Sequence, residues 1–96
     1  MSFPWRRCAG MYEIILEAAA ARTYEQADAA LVRKLNRCWD NLSADPHLHP
    51  NIKRLAGRFR GLWRYRVGDW RVIYRPDEAA KLVLVLAILH RSEAYR

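Results

Sequence analysis

Three arginines, Arg64, Arg66 and Arg71, are spaced to converge on one side of a β-hairpin, and converging guanidinium groups suit an anion, phosphate above all. They lie in Leu62–Arg75, LWRYRVGDWRVIYR, where Trp63, Tyr65 and Val67 alternate with Arg64 and Arg66. Gly68-Asp69 reads as a two-residue turn of type II′, with glycine at the first central position. That turn sets Val67 opposite Trp70, Arg66 opposite Arg71, Tyr65 opposite Val72 and Trp63 opposite Tyr74. One face is then aromatic and β-branched, and the other carries the arginines. Like charges directly across a strand pair destabilise it, so the cluster implies a partner that repays the repulsion.

The elements that must hold this hairpin follow from hydropathy patterning. Met11–Leu16 is short and β-rich, the first strand. The alanine-rich run Glu17–Ala21 favours helix. Thr23 with Gln26 three residues on has the form of a capping box. From there Tyr24, Ala27, Leu31, Leu35, Cys38, Trp39 and Leu42 recur at three- and four-residue spacing, an amphipathic helix that must stop near Ser43–Asp45, ahead of Pro46. His47–Asn51 is a connection leading into Ile52–Leu55. Strands are predicted at Trp63–Val67, Trp70–Arg75 and Lys81–Leu89, with the second turn at Pro76-Asp77-Glu78. The last strand is apolar on both faces and should be central. The fold class is α+β: an N-terminal strand, one or two helices, then an antiparallel three-stranded meander, with the helices packed on one sheet face. Residues 1–10 lack periodicity and read as an N-terminal extension without order of its own, leaving residues 11–96 as the domain.

Charge sharpens the functional reading. The formal net charge is +7. Residues 1–50 carry six basic and six acidic side chains, whereas residues 51–96 carry eleven basic and four acidic. The whole excess sits on the half that contains the hairpin. Such asymmetry points to a polyanionic partner, nucleic acid first and an acidic protein or anionic membrane second. Cys8 and Cys38 offer neither zinc spacing nor a disulfide framework, and His47 and His49 have no cysteine or acid at metal-ligand spacing. The apolar run Leu82–Leu89 is too short to span a membrane, and MSFPWRRCAG has a basic pair but no apolar run behind it of the length a signal peptide needs. A cytoplasmic protein is expected.

Asn51-Ile52-Lys53-Arg54-Leu55, Gly57, the hairpin Trp63–Tyr74 and the ending Ile88–Arg96, ILHRSEAYR, resemble the RelE/ParE superfamily of type II toxin–antitoxin toxins. The likeness runs from about Met11 to Arg96 and is strongest after Pro50. It implies a RelE-like toxin that enters the ribosomal A site and cleaves mRNA there, neutralised by a cognate antitoxin and needing no cofactor or metal. Arg64, Arg66 and Arg71 fall on the family's basic hairpin positions, Arg91 on its last basic residue and Tyr95 on its terminal tyrosine. The best-known RelE-type pattern has lysines where this chain has Arg64 and Arg66. Arginine stays charged in proteins, so these two serve as phosphate clamps and not as a general base.

His90 is the sequence's candidate for the proton transfer, with Tyr95 next. The chemistry expected is attack of the RNA 2′-OH on the adjacent phosphodiester, with Arg66, Arg71 and Arg91 stabilising the developing charge. Strict alternation groups His90 with Leu84, Leu86 and Ile88, and Arg91 with Val83, Val85 and Leu89. Only one of those parities faces the arginines unless the chain bends after Leu89. Trp63, Tyr65, Trp70 and Tyr74, on the parity opposite the arginines, are expected in the core and not on a nucleobase-stacking surface. Two other functions fit the same resemblance: a ParE-like toxin that inhibits DNA gyrase, and an inactive relative that only binds its antitoxin.

Overall fold

The structure is a computed structural model that describes residues 5–7 and 10–92. Its elements run β1 (Trp5–Arg7), β2 (Glu13–Leu16), α1 (Ala18–Gln26), α2 (Ala29–Ala44), β3 (Ile52–Arg54), β4 (Trp63–Val67), β5 (Trp70–Asp77) and β6 (Leu82–His90). They form one sheet in the order β1-β2-β6-β5-β4-β3, antiparallel except where β2 lies parallel to β6. β6 is central, as its two apolar faces require.

Both helices cover one face. Ala20 of α1 and Leu35, Cys38, Trp39 and Leu42 of α2 are fully buried against Ile14, Leu16, Val72, Tyr74, Val83 and Val85 of the sheet. Each large apolar side chain so buried contributes about 1.5–3 kcal/mol. The helical run is broken once. α2 is capped by Asp28, whose carboxylate accepts from the Leu31 N–H at 2.8 Å. Thr23 lies inside α1 and its hydroxyl donates to the Ala19 carbonyl, so the capping-box reading gives way to a cap five residues later.

The chain leading into β2 is pinned to the end of α2 by a buried serine. Ser43 Oγ accepts from the Gly10 N–H at 2.7 Å and donates to the Tyr12 carbonyl at 2.5 Å, while the Tyr12 N–H donates to the Ser43 carbonyl. A Cβ at Gly10 would stand 2.9 Å from that carbonyl oxygen, which explains the glycine. Just beyond the same end of α2, Tyr74 donates to the Pro46 carbonyl at 2.6 Å.

Three details depart from the sequence reading. Trp5–Arg7 adds an antiparallel strand to β2, within a segment that showed no periodicity. Ile52–Arg54 is a strand, the sheet's other edge, and not merely the run after a connection. β5 continues through Pro76 to Asp77, and the turn falls at 78–81, with Lys81 at φ 56°. Asp77 caps that turn by accepting from the Ala80 N–H.

Candidate anion-binding site

The hairpin has the expected register throughout: Val67 faces Trp70, Arg66 faces Arg71, Tyr65 faces Val72 and Trp63 faces Tyr74. Gly68 takes φ 59° while Asp69 keeps a negative φ, the combination a type II′ turn demands. Tyr65, Val67, Val72 and Tyr74 point to the helices and are buried. Arg64, Arg66 and Arg71 therefore project from the opposite, uncovered face.

β3 enlarges the cluster. Lys53 lies directly across from Arg64, so four cationic side chains share that face of three adjacent strands. With Arg54, Leu55 and Ala56 they line an open groove of about 440 Å³. Five cations and no carboxylate line it, and among the described residues none of the five is paired with an acid. Arg71 is held in place by its own turn, its Nη1 donating to the Gly68 carbonyl at 3.3 Å and the Trp70 carbonyl at 3.1 Å. Arg66 is exposed, while Arg64 and Arg71 are half-buried along their stems. Lysine was visible in the sequence at position 53, but only the β3–β4 pairing shows that it joins the arginines.

The C-terminal candidates divide. Between Tyr74↔Val85 and Ile73↔Ala87 the register slips by one residue, leaving Leu86 as an extra residue in β6. The bulge reverses parity. Val83 and Val85 face the helices before it, and Ile88 and His90 face them after it. His90 therefore pairs with Trp70, its ring edge-on to the indole at 5.3 Å, on the side of the sheet away from the arginines. It lines a separate pocket with Asp28, Lys34 and Asp69. The expectation that His90 shares a site with Arg64, Arg66 and Arg71 is corrected by that bulge: the sheet itself stands between them.

Arg91 sits one residue beyond β6. Its N–H donates to the Asp69 carbonyl at 2.7 Å and its guanidinium stands 3.9 Å from the Asp69 carboxylate, both side chains about two-thirds exposed. Arg91 is thus fastened to the same turn that anchors Arg71, beside the groove but not among its lining residues. Tyr95 lies outside the described residues.

Two histidines in the α2–β3 connection serve packing and hydrogen bonding. His47 Nε2 is 2.7 Å from Glu78, which also accepts from the Tyr12 hydroxyl, and its ring meets Trp63 edge-on at 4.9 Å. His49 stacks obliquely on Tyr65, whose hydroxyl accepts from Asn41 at 2.8 Å. Among the described residues no cluster of three histidine, cysteine or acidic side chains is placed to hold a metal ion. Burial pushes the Cys38 thiol well above its ordinary range, the state of an inert core side chain. No helix of the described residues is long and apolar enough to cross a membrane.

Comparison with known proteins gives the same fold and a lineage. The RelE–RelB complex from the archaeon Pyrococcus horikoshii includes a chain 25% identical to this one, with a TM-score of 0.74 over 88% of this chain and 99% of that chain. A RelBE toxin–antitoxin complex from Mycobacterium tuberculosis matches at 23% identity and a TM-score of 0.70, covering 81% and 95%. The YoeB/ParE toxin from Agrobacterium tumefaciens matches at 22% identity and a TM-score of 0.73, covering 80% and 95%. No curated protein matches the chain. The family model described as the ParE toxin of the type II toxin–antitoxin system parDE matches residues 12–95, nearly the whole chain. This chain belongs to that family, and is a type II toxin of the RelE/ParE superfamily.

Proposed function

We propose that this toxin is a ribosome-dependent endoribonuclease, and that the groove of Lys53, Arg64, Arg66 and Arg71 binds the scissile phosphate of mRNA in the A site. The observation that carries this reading is the Arg66–Arg71 pair, placed directly across two strands with no carboxylate among the residues lining the groove. Guanidinium forks meet phosphate oxygens bidentately. Cations fixed where charge develops stabilise a transition state at no further cost of reorganisation. Attack by the 2′-OH would break the P–O5′ bond, leaving a 2′,3′-cyclic phosphate on one fragment and a 5′-OH on the other.

Proton transfer falls to a different group from the one the sequence suggested. Lys53 is the one lining side chain whose proton can leave in a protein, since arginine stays charged. Lys53, as the neutral amine, would accept the 2′-OH proton while solvent protonates the departing O5′, and Tyr95 remains a candidate to orient that hydroxyl or stack on a base. Arg91, held beside Arg71 by the shared turn, would reach the phosphate from the hairpin tip.

An antitoxin would silence the site by covering it. The same sheet face carries Leu84 opposite Arg75 and Leu89 opposite Arg71, so an amphipathic, acidic segment could bury apolar area and neutralise arginines together. The solved relatives from P. horikoshii and M. tuberculosis are themselves toxin–antitoxin complexes.

A second reading has its own support. The matching family model is that of ParE, and inhibition of DNA gyrase through protein contact would need no nucleolytic centre. Primer extension of a defined mRNA on programmed ribosomes separates the two. Cuts confined to the A-site codon are expected. Intact mRNA with folded toxin, together with loss of gyrase supercoiling activity, would establish the second reading instead.

A further inference from the structure

A second cleft adjoins the arginine groove and has a different lining. The connection from β3 to β4 folds through a single 3-10 turn, Gly57–Phe59, and leaves a depression of about 550 Å³ bounded by Arg54, Ala56, Gly57, Arg60, Gly61 and Trp63. Arg54, Leu55 and Ala56 belong to both clefts, so the two meet around the end of edge strand β3.

Trp63 is the unusual member. Its parity places it with the core, against which it packs, yet it is the first residue of β4 and is only half-buried. His47 touches it edge-on, and the Arg54 guanidinium stands over its ring at 5.8 Å from the centroid. Gly57 and Gly61 have φ of 65° and 89°, and a Cβ at either would meet nothing within 4 Å, so bare backbone forms that wall. An indole face, two guanidinium groups and open backbone are the parts of a nucleotide site: bases stack on aromatic and guanidinium planes, and arginine takes the phosphate.

The geometry points to a second nucleotide subsite, in which a base of single-stranded RNA next to the scissile phosphate takes the place of the Arg54 guanidinium on the Trp63 ring, Arg54 swinging out to cover it, with its phosphate on Arg60. This rests on the RNA reading given above and extends it to how the strand is gripped. An acidic peptide would use the two arginines but has no need of the indole, and single-stranded nucleic acid uses both.

The test measures binding of the full chain to a labelled 2′-O-methyl hexanucleotide, which cannot be cleaved, and to the same oligomer with one abasic residue at each position in turn. One abasic position is expected to weaken binding about tenfold, the scale of a single base–aromatic stack. That loss should vanish in Trp63→Leu, persist in part in Trp63→Phe, and shrink in Arg54→Ala, which leaves the core untouched should Trp63→Leu fold poorly. Arg60→Ala should weaken every oligomer several-fold. The subsite is overturned, and the RNA reading kept, if Arg71→Ala weakens the oligomer while no abasic position matters or the abasic loss is the same in every Trp63 and Arg54 variant. It is likewise overturned if an oligoglutamate peptide binds in an Arg60-dependent manner and the RNA ignores Arg60. If the oligomer fails to bind and Arg71→Ala changes nothing, both readings fall together.

Discussion

At the scale of single residues, the site divides labour between side chains that cannot lose a proton and one that can. Arg66 and Arg71 hold charge whatever the pH, and their register sets the two directly across from each other, the arrangement the proposed phosphate clamp needs. Lys53 tests the other role. Lys53→Arg keeps the charge and removes the dissociable proton, so single-turnover cleavage should fall about 10²–10⁴-fold, the usual worth of general acid–base catalysis, with ribosome binding little changed. Cleavage at the native rate by Lys53→Arg would assign the proton transfer elsewhere. His90→Gln gives the converse expectation. Its ring packs on Trp70 across the sheet from the arginines, so cleavage by this variant should match that of the parent. The sequence made His90 attractive because histidine chemistry is legible in one letter, while the side of the sheet it occupies is not.

At the scale of elements, local chemistry was readable and pairing was not. The Gly68-Asp69 turn fixed the parity of β4 and β5, and with it the arginine cluster, because a two-residue hairpin loop leaves no freedom of register. The bulge at Leu86 left no mark in the sequence. An apolar run on both faces looks the same with or without one inserted residue, and only the pairing with β5 reveals it. β3 was equally hidden, since Ile-Lys-Arg is too short to alternate, and Lys53's place in the site was hidden with it. The sequence placed a cap at Thr23, whereas in the structure Asp28 caps α2 through the carboxylate that reaches Leu31. Ser43 offers an element-scale test. Ser43→Ala would leave the buried Tyr12 carbonyl without the Ser43 hydroxyl and remove the part-buried bond from the Gly10 N–H, and urea unfolding should show a loss of about 1–3 kcal/mol. A loss under a few tenths would mean that the segment before β2 is not held by this contact.

At the scale of the whole molecule, the sheet separates a neutralised, buried side from a charged, open one. Three tyrosines on the buried side make the fold sensitive to alkali. The hydrogen bond to Glu78 raises the Tyr12 pKa, and burial raises those of Tyr65 and Tyr74. Folding then holds protons that the unfolded chain releases above its ordinary tyrosine pKa of about 10. Stability should be flat below that pH and fall as pH rises through the raised folded values, with phenolate absorbance and loss of circular dichroism appearing together. Early titration of all three tyrosines in a still-folded chain would contradict the packing described. On the open side, the net charge of the C-terminal half is concentrated where a polyanion would dock, and catalysis there should weaken with salt.

The central claim is that the Arg66–Arg71 pair holds the scissile phosphate. The measurement that tests it most directly is the single-turnover cleavage rate of mRNA on programmed ribosomes by Arg71→Ala and Arg66→Ala, with circular dichroism recorded on the same preparations. Both variants should stay folded and lose about 10²–10³-fold in rate, as removal of one charge-stabilising donor does elsewhere. Folded variants that cut the A-site codon as fast as the parent would contradict the account and move the active centre away from this face.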